Sequence, residues 1–196
     1  MTEPEPTAKI SRRNILEYWW LAPVVATAAF FGWFGIRSYN ILLGKSAPGP
    51  ATFNPGSRIR VGSIAEFAKV WASKELDYPV KLGSSVGKTP VLVIRTTQAQ
   101  AGGITVGDQH FLGLSKICTH LNCKCDLVRD PEVAALAYKF RPDQGQPLLG
   151  CACHFSAFDP EQAGASVGGP ALRPLPRVQL EHRNGVIYAT GIESVG

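Results

Sequence analysis

Four of the five cysteines of this 196-residue chain fall in two short boxes that each carry a histidine: Cys118-Thr119-His120-Leu121-Asn122-Cys123 and Cys151-Ala152-Cys153-His154-Phe155-Ser156. If these thiols and imidazoles serve one centre, the fold must bring two distant loops face to face. Two thiolates and two imidazoles could hold zinc tetrahedrally. Zinc boxes, however, usually pair C-x₂₋₄-C with H-x₃₋₅-H. Here each box mixes one Cys with one His, at C-x-H and then C-x-x-H. That mixture suits a [2Fe–2S] cluster with one iron on two Cys and the other on two His, each loop giving one ligand to each iron. Five cysteines are too few for a disulfide scaffold. A zinc-binding interaction module stays as the non-redox alternative.

The boxes resemble the paired signatures of Rieske iron–sulfur proteins, specifically the subunit of quinol–cytochrome c oxidoreductases, which usually read C-T-H-L-G-C and C-P-C-H-G-S. Gly168-Gly169-Pro170-Ala171 with Pro174-Leu175 is similar to that family's proline loop over the cluster. The resemblance implies Cys118 and Cys151 on one iron and His120 and His154 on the other, with the histidines as the groups that meet quinol. It also implies a disulfide between Cys123 and Cys153, and a Ser156 hydroxyl bonded to a bridging sulfide. Three positions depart from the usual pattern. Asn122 stands in place of a glycine, and Asn tolerates a left-handed backbone. Phe155 replaces the other glycine and is expected to add apolar cover beside the cluster. Phe158 stands where high-potential members carry a tyrosine whose hydroxyl reaches a ligand sulfur. Cys125 is the odd thiol; it could compete for the disulfide, dimerise, or sit buried and inert, and the inert reading is preferred. His110 and His182 lie outside both boxes and read as surface or strand residues.

Between Glu17 and Arg37, the nineteen residues Tyr18–Ile36 carry no formal charge. As a helix they would span about 28 Å, close to a bilayer's hydrocarbon core. Tyr18, Trp19 and Trp20 begin the stretch and Phe30, Phe31, Trp33 and Phe34 end it, as interfacial aromatic belts would. The stretch therefore reads as a single transmembrane helix over 18–36. Ser11-Arg12-Arg13-Asn14-Ile15-Leu16 just before it resembles a twin-arginine (Tat) export signal, and with no clean cleavage site after it the segment is expected to stay as an anchor. Lys9, Arg12 and Arg13 before the span outnumber Arg37 and Lys45 after it. The N-terminus, residues 1–17, is thereby expected in the cytoplasm and the rest outside a bacterial plasma membrane. Residues 37–57, rich in proline and glycine, read as a flexible neck.

Residues 58–196 are expected to form an all-β Rieske-type head: antiparallel sheets with a small cluster-binding subdomain, its loops near 118–125 and 151–158. Gly 20 and Pro 15 suit a loop-rich β fold. Strands are expected at Tyr78–Leu82, Pro90–Thr96, His110–Ile117, Leu136–Phe140 and Val178–Glu181. Asn184-Gly185 should turn a final hairpin. The stretch 63–72 reads as a capping-box helix, with Ser63 and Glu66 at its start. A hydrophobic fraction of 45% excludes a disordered chain, and a mean hydropathy of +0.02 excludes a multi-span membrane protein. The net charge of +5 is spread without a basic run, so no nucleic-acid partner is expected.

The resemblance implies an electron-transfer subunit that takes an electron and a proton from quinol at a [2Fe–2S] cluster, one per chain. The electron would pass to a c-type cytochrome, with a cytochrome b subunit completing the quinol site and membrane lipid around the anchor. The alternative is the Rieske subunit of another exported oxidoreductase, such as arsenite oxidase.

Overall fold

A computed structural model of the chain describes residues 18–43, 49–82, 85–143 and 145–194. The twin-arginine pair lies outside the described residues. The chain divides after Leu43 into two units.

The first unit is helix α1, Leu21–Leu43. Pro23 sits in its first turn, where a missing N–H costs nothing, and its carbonyl accepts from Thr27 Oγ1 at 2.7 Å. Val24, Val25, Phe30, Phe31, Trp33, Phe34 and Ile36 are all exposed, and Phe30 stacks on Phe34 one turn away. The helix continues beyond Ile36, so the first residues of the expected neck are helical instead. No described helix is long and apolar enough to cross a membrane, so the spanning expectation draws no support from hydropathy.

The second unit is built from two antiparallel sheets. Among the described residues the larger has seven strands, in the order β1-β11-β10-β5-β3-β2 with β4 added on β5. They are β1 Phe53–Ser63, β2 Ser73–Leu82, β3 Ser85–Thr96, β4 Ile104–Val106, β5 Gln109–Ser115, β10 Arg177–Arg183 and β11 Val186–Glu193. β1 thus begins inside the expected neck. The smaller sheet inserts between β5 and β10 and orders β6 Asp126–Val128, β7 Leu148–Cys151, β8 Ser156–Asp159 and β9 Ala165–Gly168.

The run Val91-Leu92-Val93-Ile94 in β3 is buried on both faces, which is why it is continuously apolar rather than alternating. Period-two geometry sends its residues to two cores. Val91 and Val93 join Phe67, Tyr78, Phe111 and Ile187. Leu92 and Ile94 join Leu112, Leu114 and the buried cysteines. The second core couples the rigid large sheet to the cysteine loops.

Two expected elements differ. The helix at 63–72 is a single 3₁₀ turn, Ile64–Phe67. The Arg95 guanidinium takes the carbonyls of Phe67 and Ala68, at 3.1 and 2.7 Å, which a continuing helix would need. Trp71 then turns left-handed at φ +67° and donates its N–H to Arg95 O. The expected strand at Leu136–Phe140 is instead helix α2, Pro131–Tyr138. Asp130 caps it by accepting from the Glu132 N–H at 2.8 Å, and Pro131 fits its first position. The Asn184-Gly185 hairpin forms with both residues at positive φ, as a type I′ turn requires.

Candidate metal centre

The first cysteine box follows β5. The Cys118 N–H donates to Cys123 O at 2.8 Å and the Asn122 N–H to Cys118 O at 3.0 Å, closing a tight loop. Asn122 adopts φ +60°, the left-handed conformation an asparagine accepts at low cost. The Cys125 N–H then bonds Lys116 O at 2.7 Å, so the chain returns beside its own entry. The second box is the turn from β7 to β8, closed by the Cys151–Ser156 pair. Phe155 there is also left-handed, at φ +57°, a conformation that costs a bulky residue energy and is retained where the surroundings dictate it.

A third loop, between β9 and β10, holds the two boxes. Thr119 Oγ1 donates to Arg173 O at 2.7 Å. The Ala171 N–H donates to Ser156 Oγ at 3.2 Å. Ser156 is fully buried, and because its oxygen accepts from Ala171, its hydroxyl proton is available to another acceptor. Gly169, at φ +73°, passes so close that a Cβ would lie 2.5 Å from Phe155 O and from Ser156 Cα.

These loops bring together the residues singled out in the sequence. Cys123 and Cys153 are joined by a disulfide with Cα atoms 6.6 Å apart. Cys118 and Cys151 are free and buried. The His120 and His154 rings stand 4.8 Å apart, edge to face. His154 is exposed, His120 half-buried. His120 Nδ1 is buried and has no hydrogen-bond partner. An orphaned imidazole nitrogen at such depth costs free energy unless something engages it. Two buried thiols, two adjacent imidazoles and that orphaned nitrogen fit a [2Fe–2S] group with mixed Cys and His ligands.

Burial raises the Cys151 thiol, while the N–H groups of Cys153 and His154 pull the other way by favouring its thiolate. A bound cation would finish that deprotonation. Phe158 is fully buried in the same core as Cys118 and Cys151. Phe155 is exposed and meets Tyr138 of α2 edge to face at 6.2 Å, so its apolar cover lies at the surface beside His154. Outside the site, His110 Nδ1 shares a hydrogen with Thr105 Oγ1 and His182 Nε2 accepts from the Gly185 N–H.

One residue of this region went unread in the sequence. Tyr138 packs so tightly on Gly150 that a Cβ there would lie 2.4 Å from its ring, and the Asp130-Pro131-Glu132 helix start was the signal for the helix that carries it. Cys125 is buried with its sulfur within 4.8 Å of those of Cys118 and Cys151. Burial, with those two cysteines beside it, pushes the Cys125 thiol well above its ordinary value.

A protein of Haloferax mediterranei, provisionally named respiratory nitrate reductase subunit Rieske, is 30% identical over 140 residues. The match covers 69% of this chain but 54% of that protein, so the chain spans about half the length of this curated relative. The soluble domain of Rieske protein II from Sulfolobus acidocaldarius shares the fold, with a TM-score of 0.50 at 22% identity over 69% of this chain and 78% of that one. The plasma membrane Rieske protein of Synechocystis PCC 6803 aligns over 67% of this chain and 97% of its own, with 22% identity and a TM-score of 0.39. Residues 66–179 match the Rieske [2Fe-2S] domain, a span holding both boxes and the loop that clamps them, and the chain therefore belongs to the Rieske family.

Proposed function

We propose that this chain is the membrane-anchored Rieske subunit of a quinol–cytochrome c oxidoreductase, receiving an electron and a proton from quinol and passing the electron to a c-type cytochrome. The observation that carries the reading is the pair of facing imidazoles, one exposed, carried on the same two loops as two buried free thiols. In this reading Cys118 and Cys151 hold one iron and His120 and His154 the other. A bound [2Fe–2S] cluster supplies one-electron chemistry at that point.

The protein's own groups do the rest. Cys118 and Cys151 anchor the buried side, and the disulfide keeps the two loops in register. With the buried Nδ1 of His120 turned to the iron in this reading, an imidazole's other ring nitrogen, Nε2, is the atom left to accept a quinol hydroxyl proton. Leu121, Phe155 and Leu172, each more than half exposed, flank that edge in sequence and would exclude water once pressed against a partner. A cytochrome b subunit would complete the quinol pocket.

Helix α1 serves as the anchor, with the N-terminus cytoplasmic and the head outside the plasma membrane. Its uncharged stretch and the exposed large apolar side chains among its described residues support membrane insertion. Tryptophan and tyrosine lower a hydropathy average while favouring the lipid interface, so the average undervalues this segment.

A second reading is favoured by the name of the Haloferax relative: a Rieske subunit of another exported respiratory oxidoreductase. Affinity purification of the tagged full chain from native membranes separates the two. The first reading predicts co-purifying b- and c-type haem and quinol-dependent cytochrome c reduction that is lost in His154→Ala. Co-purifying nitrate reduction in place of quinol-dependent cytochrome c reduction would establish the second reading instead. Recovery of the chain from the soluble fraction would overturn the anchor.

A further inference from the structure

The core of the centre holds three thiols, one more than the family reading uses. The sulfurs of Cys118, Cys125 and Cys151 all lie within 4.8 Å of one another. Cys125 is fully buried and forms no disulfide. Its backbone is fixed by the bond to Lys116 O and by the Ile117–Lys124 bridge, so its place beside the two sulfurs is set by the loop. Around it lie Leu149, Phe158, Ala171 and Leu175 in one apolar core. None of these side chains offers an acceptor, so among the side chains of this core the sulfurs of Cys118 and Cys151 are the ones placed to receive its S–H.

We propose that Cys125 is a tuning residue: its thiol donates a hydrogen bond to a ligand sulfur of Cys118 or Cys151 and thereby raises the reduction potential of the centre. The inference rests on the Rieske reading. Reduction adds negative charge to the sulfurs, so a donor aimed at one of them stabilises the reduced state more than the oxidised state. Exclusion of water makes the same bond stronger than it would be at the surface. Phe158, packed in the same core without a hydroxyl, supplies no such bond. A thiol is a weak donor, so the expected effect is modest: up to about a tenfold change in the ratio of reduced to oxidised protein at fixed potential, or about 59 mV for one electron.

EPR-monitored redox titration of the full-length chain tests this with wild type, Cys125→Ala, Cys125→Val and Cys125→Ser. All four should bind iron and sulfide equally and keep the same pulsed-EPR histidine couplings. Ala and Val should both lower the midpoint potential, whereas Ser, a stronger donor, should hold it at or above wild type. The Val variant fills the volume that Ala vacates, so a fall common to both reports the lost proton rather than a cavity. In D₂O, wild type should show an exchangeable proton coupled to the reduced centre that Cys125→Ala lacks. An unchanged potential in Ala and Val would overturn the proposal. So would a Ser variant as low as Ala, or folded variants unable to bind iron, which would make Cys125 a ligand. Wild-type protein that binds iron without histidine couplings would instead overturn the Rieske ligand reading itself.

Discussion

Replacing Cys123 and Cys153 together by serine should expose how the two loops are held. The disulfide closes a loop of 30 residues, and the chain-entropy relation puts that closure at about 3.6 kcal/mol. For a chain of this size, a loss of that magnitude lowers Tm by about 7–14 °C. The hydrogen bonds of Thr119 to Arg173 and of Ala171 to Ser156 remain in the variant and tie both boxes to the third loop, each at about 1 kcal/mol. They do not substitute for the covalent link. Cluster ligation from Cys118 and His120 to Cys151 and His154 would close nearly the same loop a second time. Where ligation persists in the unfolded chain the two closures are not additive, and the penalty is then much smaller in iron-loaded protein than in iron-free protein. Urea unfolding of both forms, followed by circular dichroism, measures the two penalties. Equal penalties in the two forms, with iron still bound to the unfolded chain, would refute the idea that one centre bridges both boxes. An iron-free penalty below about 1 kcal/mol would refute the loop-closure reasoning.

Phe158→Tyr places a hydroxyl in the core that holds Cys118 and Cys151. It should raise the potential in protein-film voltammetry if the hydroxyl reaches a cysteine sulfur, and an unchanged potential with the hydroxyl in place would count against hydrogen-bond tuning. Gly169→Ala forces a Cβ to within 2.5 Å of the Phe155 and Ser156 backbone at φ +73°. Thermal melting should report a loss of about 2 kcal/mol or more, with iron retention impaired. Arg177 is buried and paired with Glu193 through bonds at 2.9 and 2.6 Å, and Arg177→Met should cost about 3 kcal/mol at pH 7. Burial alone would raise the Glu193 carboxyl, but the bonds from Arg177 win and hold it below the ordinary value. A carboxylate depressed in the folded state stabilises above its unfolded pKa and loses that contribution as pH falls through the folded value. The cost of Arg177→Met in denaturant titrations should accordingly be smaller at pH 3 than at pH 7, and an equal cost would contradict the pairing.

Chemistry was easier to read from the sequence than architecture. The two boxes could be read because metal ligation fixes residue type and spacing, and the Asn184-Gly185 turn because positive φ restricts which residues fit. The stretch 63–72 misled because its helical start is genuine: the Ser63 N–H does bond the Glu66 carboxylate, at 2.7 Å. What ends the turn is Arg95, distant in sequence, occupying its carbonyls. Leu136–Phe140 looked strand-like in isolation, yet Asp130 and Pro131 had already committed the segment to a helix. Cys125 could not be placed from spacing. Whether a leftover thiol is inert or sits beside two ligand sulfurs depends on the return of its loop to Lys116, a tertiary fact.

The central claim is that one centre draws a thiolate and an imidazole from each box. Pulsed EPR of the reduced full-length chain, grown with ¹⁵N-histidine, tests it most directly. The account predicts two strongly coupled histidine nitrogens, falling to one or none in His120→Ala and in His154→Ala, with two irons and two sulfides per chain. A reduced centre with no coupled histidine nitrogen would contradict it and point to the three buried thiols of Cys118, Cys125 and Cys151 as the ligands instead.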